Sequence, residues 1–357
     1  MTGPSGSRTP TEWQQLAEIA DLYYHEQQTQ ADIADRLGIS RVKVSRLLTR
    51  AAVLGVVEFV VHRENPRNET LERELEQAFP GLRAYVVGPS AADLPTAIGR
   101  LAASAAEPHL VPGGTAAISY GRAVHETIRA ISSNHLTDLT VVQMAGVEGA
   151  TNPAVDGWDL VRYCALRLGG GYLHLPAGLF SSSVQLHDVL RADPAIATAL
   201  ERAARADLAI VGVGSMEITN SSLVRAGHLD AQGLAAARGA GSVGYIGGQH
   251  YDVDGRPLDE LNRLTLSLDL HSLRRVAQVM GVAHGPDKAL PLLGALRGGF
   301  LTIVVTDDVA ARTVLQNATP EDRSRTLSRR RPAGAPSRTV SRPAPTPARV
   351  ADPGGTT

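Results

Sequence analysis

Residues 29–50 read TQADIADRLGISRVKVSRLLTR, and this stretch decides how the chain begins. Thr29 can N-cap a helix carrying Ile33, Ala34 and Leu37 on one face, and Gly38 stands where a helix ends in the left-handed conformation. Ser40 can cap a second helix to about Ala52, with Val44, Leu47 and Leu48 inward and Arg41, Lys43, Arg46 and Arg50 largely on other faces. A helix-turn-helix needs a small residue where its helices cross, a glycine in the turn and branched apolar residues locking the second helix. Counted from Gln30, Ala34 is fifth, Gly38 ninth, Val44 fifteenth and Leu47 eighteenth, which are the places that motif uses, and Ile33, Leu37 and Ile39 fill the other apolar slots.

The spacing predicts a DNA reader. Ser40, Arg41, Lys43 and Val44 are expected to face the major groove, while Arg46, Arg50 and the helix start at Thr29 and Gln30 meet phosphates. Arg and Lys can read guanine edges, and the phosphate contacts fix register. The competing reading is a three-helix bundle whose basic residues form a solvated face.

Outward from this stretch, residues 1–11 are small and polar and are expected to be disordered. From Glu12, the residues Trp13, Leu16, Ile19, Ala20 and Tyr23 recur at helical spacing as far as Gln27. After Gly55, VVEFVVH suits a strand, a wing that completes a domain over 12–63. NPRNETLERELEQAFPG then predicts a linker helix within 64–81 that ends at Pro80.

From Leu82 to residue 316 the texture changes. The apolar runs AYVVG, AAISYG, LTVVQMAG, GYLHLPA, ADLAIVGVG, GSVGYIGG, AQVMGVAHG and FLTIVVTD alternate with helical patterns. That alternation predicts an α/β, Rossmann-like domain with a mostly parallel sheet, following an all-α, winged helix-turn-helix head. Such sheets hold ligands at the carboxyl ends of their strands. Residues 317–357 are rich in Arg, Pro, Ser, Ala and Gly with almost no large apolar residues, so a disordered tail is expected.

Composition narrows the classes. The 357 residues carry 35 Lys plus Arg against 36 Asp plus Glu, so no global field selects nucleic acid, membrane or acidic substrates, and charge arguments must be local. No apolar run approaches the ~20 residues that span a bilayer, and MTGPSGSRTPTEW lacks a signal-peptide centre, so a cytoplasmic protein without a membrane partner is expected. A single cysteine, Cys164, gives neither an internal disulfide framework nor a zinc cluster and reads as a small buried hydrophobe. Positive charge is carried by Arg almost throughout; Lys43 and Lys288 are the only lysines.

Enzymatic and binding readings compete over the larger part. Ser119, with Gly121 two residues on, resembles a hydrolase nucleophile elbow that has Ala117 for its first glycine. The structural alternative is preferred: Ser119, Gly121 and Arg122 open a helix whose N–H groups form an anion site. Gly212 and Gly214 in VGVGS form a glycine loop after a strand, a weak signal for phosphate or sugar contact. The histidines show no close pairing at metal-ligand spacing, so no metal, no other cofactor and no catalytic set is read. Lys288 is more informative. It sits in the first turn after Gly285, Pro286 and Asp287, where its charge adds to the positive end of a helix and costs stability unless an anion sits there.

Together these segments resemble the SorC family of sugar-binding transcriptional regulators over residues 12–316. The similarity rests on LYYHEQQTQADIADRLGISRVKVSRLL, ISYGRAVHETI, VVQMAGV, ADLAIVGVGSM, SSLVRAGHLD, YDVDGRP, LSLDLHSLRRV, VMGVAHGPDKALPLLGALRGG and TIVVTDD. The resemblance implies a winged helix-turn-helix joined to an effector domain similar to sugar-phosphate isomerases and to deaminases of the glucosamine-6-phosphate deaminase type. It implies sugar, polyol or sugar-phosphate effectors and a homo-oligomer, commonly a tetramer. It places the phosphate loop on Gly121, Arg122 and Ala123, a strand-end contact on Gln143, the polar start of the next helix on Asp156 and Asp159, and the lysine on Lys288. Two positions depart from the family pattern: Ala123 stands where a Thr often is, and Tyr245 where an acidic residue often faces the sugar. An isomerase or deaminase with an appended DNA-binding head is the rival from another class.

Overall fold

The computed structural model describes residues 12–54, 56–57, 67–132, 136, 138–147, 149 and 157–324. The chain forms two compact units, 1–64 and 65–357. In the first, α1 (Glu12–Ala20) continues through a wider turn, Asp21–His25, closed by the Glu26 N–H on the Asp21 carbonyl. Two further helices follow, α2 (Gln30–Leu37) and α3 (Arg41–Val53). Ile19, Leu22, Ile33, Ala34, Val44 and Leu48 close a small core between the three. The segment expected to form a wing falls outside the described residues apart from Val56 and Val57, as does the expected N-terminal disorder.

The second unit is α/β. Its strands are β1 (Arg83–Val87), β2 (Thr115–Ile118), β3 (Thr140–Gln143), β4 (Gly171–Leu173), β5 (Leu208–Gly212), β6 (Gly214–Ser215), β7 (Gly244–Ile246), β8 (Gln249–Tyr251), β9 (Val279–Val282) and β10 (Ile303–Asp307). Its helices begin with α4 (Glu69–Ala78), α5 (Leu94–Ala106), α6 (Arg122–Ala130), α7 (Gly157–Leu168), α8 (Val184–Ala192) and α9 (Pro194–Ala204). They continue with α10 (Ser222–Arg225), α11 (Ala231–Gly239), α12 (Asp259–Asn262), α13 (Leu270–Leu273), α14 (Ala289–Arg297), α15 (Asp308–Asn317) and α16 (Pro320–Ser324).

Seven strands form one parallel sheet in the order β1-β10-β9-β5-β2-β3-β4. Alternate residues of each strand feed two cores, Ala117, Ala209 and Val211 on one face and Ala116, Ile118, Leu208 and Ile210 on the other. The chain leaves β2 for β3 on one side, while β5 pairs β2 on the other, so the order reverses between β2 and β5. Ligands of open parallel sheets lie at such a point.

The structure corrects three expectations. GSVGYIGG is no strand of the parallel sheet. Its β7 pairs antiparallel with β6 and β8, because Gly247 and Gly248 both take positive φ (56° and 79°) and make the two-residue hairpin turn that joins β7 to β8. The helix expected as a linker within 64–81 is α4, part of the second unit: Leu71, Leu75, Ala78 and Phe79 recur on one face and need cover, which the core beneath β1 supplies. Glu72 fastens it, taking the Arg67 guanidinium in a two-bond pair (3.0 and 2.6 Å) and the Val86 N–H at 2.9 Å.

The third correction concerns the tail, expected to begin at residue 317. Residues 320–324 form α16, which brings Asp322 against Arg297, where both side chains are almost fully buried and joined at 3.0 Å, while the rest of the expected tail, 325–357, lies outside the described residues. No helix among the described residues is long and apolar enough to cross a membrane. Removing one partner of a buried pair leaves the other charge desolvated, so Asp322→Ala should lower unfolding free energy by about 3 kcal/mol in urea titrations. A loss below about 1 kcal/mol would return 317–324 to the tail.

Candidate functional site

In the first unit, the sequence sets each helix start. The Thr29 hydroxyl accepts the Asp32 N–H (3.3 Å) while the Thr29 N–H and hydroxyl donate to the Asp32 carboxylate (3.0 and 2.6 Å), a reciprocal cap. Gly38 takes φ 63° and ends α2, and the Ser40 hydroxyl accepts the Lys43 N–H to start α3. Arg41, Lys43, Arg46 and Arg50 are exposed and Gln30 is half-buried at the start of α2. Val44 does not belong with them. It is fully buried among Ile33, Ala34 and Leu48, since the residue that locks the helix cannot also face a groove. Val42, missed in the sequence, is 62% exposed between Arg41 and Lys43 and offers the apolar surface that a thymine methyl would meet.

In the second unit, one cavity of about 540 Å³ opens at the carboxyl ends of β2, β5 and β9. Tyr120, Gly121, Arg122 and Ala123 border it after β2, Gly212 to Gly214 where β5 passes into β6, and Ala283, His284, Gly285, Asp287 and Lys288 after β9. Gly121 and Gly285, at φ 115° and 102°, turn the chain from strand to helix in a backbone region that side chains disfavour. The first turn of α6 has no intrahelical acceptor for its N–H groups. At Gly214 a Cβ would strike the Tyr245 ring, so the β6–β7 pairing needs glycine there.

Three cations converge. Lys288 is only 16% exposed and lies 3.8 Å from Asp287, which is half-buried. Burial pushes its amine down to about 8; Asp287 opposes the shift, and the nearby Arg225 and Arg122 charges add to it. Among the described residues, neither guanidinium has a side-chain hydrogen bond or ion pair. Burial also holds His284 below its ordinary value, against the pull of Asp307. His125 and Glu126, 3.4 Å apart, add polar groups on the α6 wall, and Asn220 adds one beside α10.

Of the residues expected at this site, Gly121, Arg122, Ala123, Gly212, Gly214, Tyr245 and Lys288 line the cavity. Ser119 does not. It is buried, and its hydroxyl accepts the Gly212 N–H (3.2 Å) and donates to the Tyr120 carbonyl, tying β2 to β5 and leaving no exposed elbow. Gln143 also lies off the cavity, its amide bridging the Ala145 carbonyl (2.7 Å) and the Leu175 N–H (3.2 Å) inside the fold. Asp159 is exposed on the first turn of α7, away from the lining, and Asp156 falls outside the described residues. Tyr245 shows its ring to the cavity, but its hydroxyl is engaged by Ser221, Ser222 and Leu223. The missed residues are His125, Glu126, Asn220, Arg225, His284 and Asp287. Arg225 carries no signal in the sequence, because a four-residue helix brings it to the cavity. No group of three or more His, Cys, Asp or Glu among the described residues could hold a metal ion.

A helix-turn-helix head and a parallel-sheet unit with a cationic cavity at its strand ends define a ligand-responsive DNA-binding regulator. The comparisons give the family. Residues 64–316 match the family model described as "Putative sugar-binding domain", and residues 15–53 match the helical model "Sigma-70, region 4". The chain is 31% identical to the transcriptional regulator LsrR of Klebsiella pneumoniae subsp. pneumoniae, over 84% of this chain and 92% of that one. The crystal structure of the full-length sorbitol operon regulator SorC from Klebsiella pneumoniae superposes with a TM-score of 0.63 at 26% identity, covering 85% of this chain and 99% of that one. A transcriptional regulator from Streptococcus pneumoniae TIGR4 shares the fold, with a TM-score of 0.65 at 18% identity over 70% of this chain and 96% of that one. The chain belongs to the SorC family of sugar-binding transcriptional regulators.

Two outcomes follow from the geometry. Arg41→Ala and Lys43→Ala should weaken binding to a selected operator without lowering the melting temperature, whereas Val44→Ala should cost about 1–3 kcal/mol of stability; the reverse pattern would move the DNA-facing side of α3. Burial holds the Lys288 amine down to about 8, so its contribution to binding of the phosphate dianion should be lost as pH rises through that value. Lys288→Arg should remove the step in a calorimetric pH series, and a flat wild-type profile would contradict the assignment.

Proposed function

We propose that this regulator binds operator DNA through α3 and a phosphorylated sugar or polyol in the cavity, and that the ligand sets its affinity for DNA. The carrying observation is the convergence of Arg122, Arg225 and Lys288 on one cavity at the switch point of the sheet. Three positive charges with one carboxylate paired to them favour an anion, and the volume of about 540 Å³ suits a small carbohydrate phosphate. Ala123 supplies no hydroxyl, so the guanidinium and ammonium groups and the α6 N–H groups carry the phosphate. His125, Glu126 and Asn220 remain for hydroxyl groups of the carbon chain.

The cavity is read as a receptor and not as a catalytic centre. The hydroxyl that suggested a nucleophile is spent between β2 and β5, and the relatives carry regulator names. A homo-oligomer, a dimer or tetramer in the cytoplasm, fits a helix-turn-helix head, since such heads read paired half-sites. A turnover assay on hexose and pentose phosphates separates receptor from isomerase: product formation that Lys288→Ala abolishes would replace this reading.

The direct experiment is fluorescence anisotropy on operator DNA, titrated with sugars and polyols with and without phosphate. The phosphorylated compounds should shift DNA binding. Lys288→Ala should keep DNA affinity and need about 10- to 100-fold more ligand, the worth of a charge-assisted contact. An unchanged dose response in Lys288→Ala would remove the cavity from the mechanism.

A further inference from the structure

The Tyr245 hydroxyl is the most heavily bonded side-chain oxygen beside the cavity, and every partner it has lies at the start of α10. The Ser222 N–H donates to it at 2.9 Å and the Leu223 N–H at 3.4 Å, and the hydroxyls of Ser221 and Ser222 each lie 3.1 Å away. Its ring is packed just as closely. It is 2% exposed, rests where Gly214 lacks a side chain, and pairs through the backbone with Gly214 in the β6–β7 ladder.

A four-residue helix has no stability of its own, since nucleation costs more than one turn of hydrogen bonds returns. Something outside α10 must therefore hold it. Leu223 is buried beneath it, and the only side chain that bonds its first N–H groups among the described residues is Tyr245. Arg225, the last residue of α10, is the cation at the cavity that comes from neither strand-end loop, and its charge already acts on Lys288.

We infer that Tyr245 is a positioning residue for anion recognition: its hydroxyl fixes the start of α10 and thereby places Arg225 in the lining of the cavity with Arg122 and Lys288. The inference rests on the anion reading of the cavity. Tyr245 itself spends its hydroxyl on the protein, so it adds a ring wall to the cavity and no polar contact to the ligand. The specificity of the site for an anion then depends on two residues twenty positions apart that act as one unit.

The test uses the full-length protein and inorganic phosphate as probe, titrated by calorimetry. Wild type, Tyr245→Phe, Arg225→Ala and the double variant are compared. Tyr245→Phe keeps the ring packing and should weaken phosphate binding about three- to tenfold. The double variant should bind no more weakly than Arg225→Ala alone, because the tyrosine acts only through the arginine. The pH series supplies a readout that mere loosening would not move: with the guanidinium displaced, the Lys288 step should rise in Tyr245→Phe as it does in Arg225→Ala. Should Tyr245→Phe fold poorly, Ser222→Pro removes the 2.9 Å donor at a first helical position that tolerates proline and should weaken binding in the same way.

Wild-type affinity in both Tyr245→Phe and Ser222→Pro, or losses that add in full to those of Arg225→Ala, would overturn the inference while leaving the anion site standing. Wild-type protein that ignores phosphate, with Lys288→Ala and Arg225→Ala equally indifferent, would overturn the anion reading and this inference with it.

Discussion

A parallel sheet packed on both faces leaves polar side chains one place to go, the ends of its strands. Here every described interior position of β2 and β5 faces one of two apolar cores, so the charges collect just beyond the last strand residues. That confinement has an electrostatic consequence. Lys288 falls from 10.5 to about 8, which is ~3 kcal/mol against the charged amine. Desolvation and two guanidinium groups together outweigh an aspartate 3.8 Å away. The surroundings of the cavity thus work against its own lysine, and a negative charge placed beside the amine would favour its charged form.

The parts of this arrangement that were legible in the sequence are those written in residue type. Thr29, Gly38 and Ser40 announce three helix boundaries of the head because each answers a local backbone need, positive φ for Gly38 and an orphan N–H for the other two. Lys288 was legible for a different reason: in a chain that carries its positive charge on arginine, a lysine after a strand-ending glycine is an exception. Gly121 and Gly285 mark strand-to-helix turns in the same way.

What escaped was direction. Ser119 and Gln143 sit at strand ends as binding residues do, yet their side chains turn into the fold and satisfy backbone groups of neighbouring segments, Gly212 of β5 in one case and Leu175 after β4 in the other. Nothing local in the sequence distinguishes a polar residue that serves a ligand from one that serves a strand. Val44 failed for a related reason, since the helix position that faces the core and the one two residues before it that faces out are occupied by the same residue type, Val44 and Val42. Arg225 was hidden because its placement is non-local, set by Tyr245 in another element. The α4 helix was misassigned because an amphipathic segment between two domains reads the same whether its apolar face covers its own domain or spans a gap.

That last point bears on regulation. A ligand changes DNA affinity only if it binds two arrangements of the protein unequally, so the strand ends must be connected to the chain that leads toward the head. The structure supplies a short polar connection. The Gly285 N–H at the cavity edge donates to Asp307 at 2.9 Å, and the next residue, Asp308, accepts from the Asn68 amide at 2.6 Å. Asn68 in turn caps α4 through the Leu71 N–H and donates its own N–H to the Val86 carbonyl. Two consecutive aspartates thus join the loop that carries Lys288 to the residue that begins the second unit's first helix. Glu72 and Arg67 hold α4 in place beside that connection.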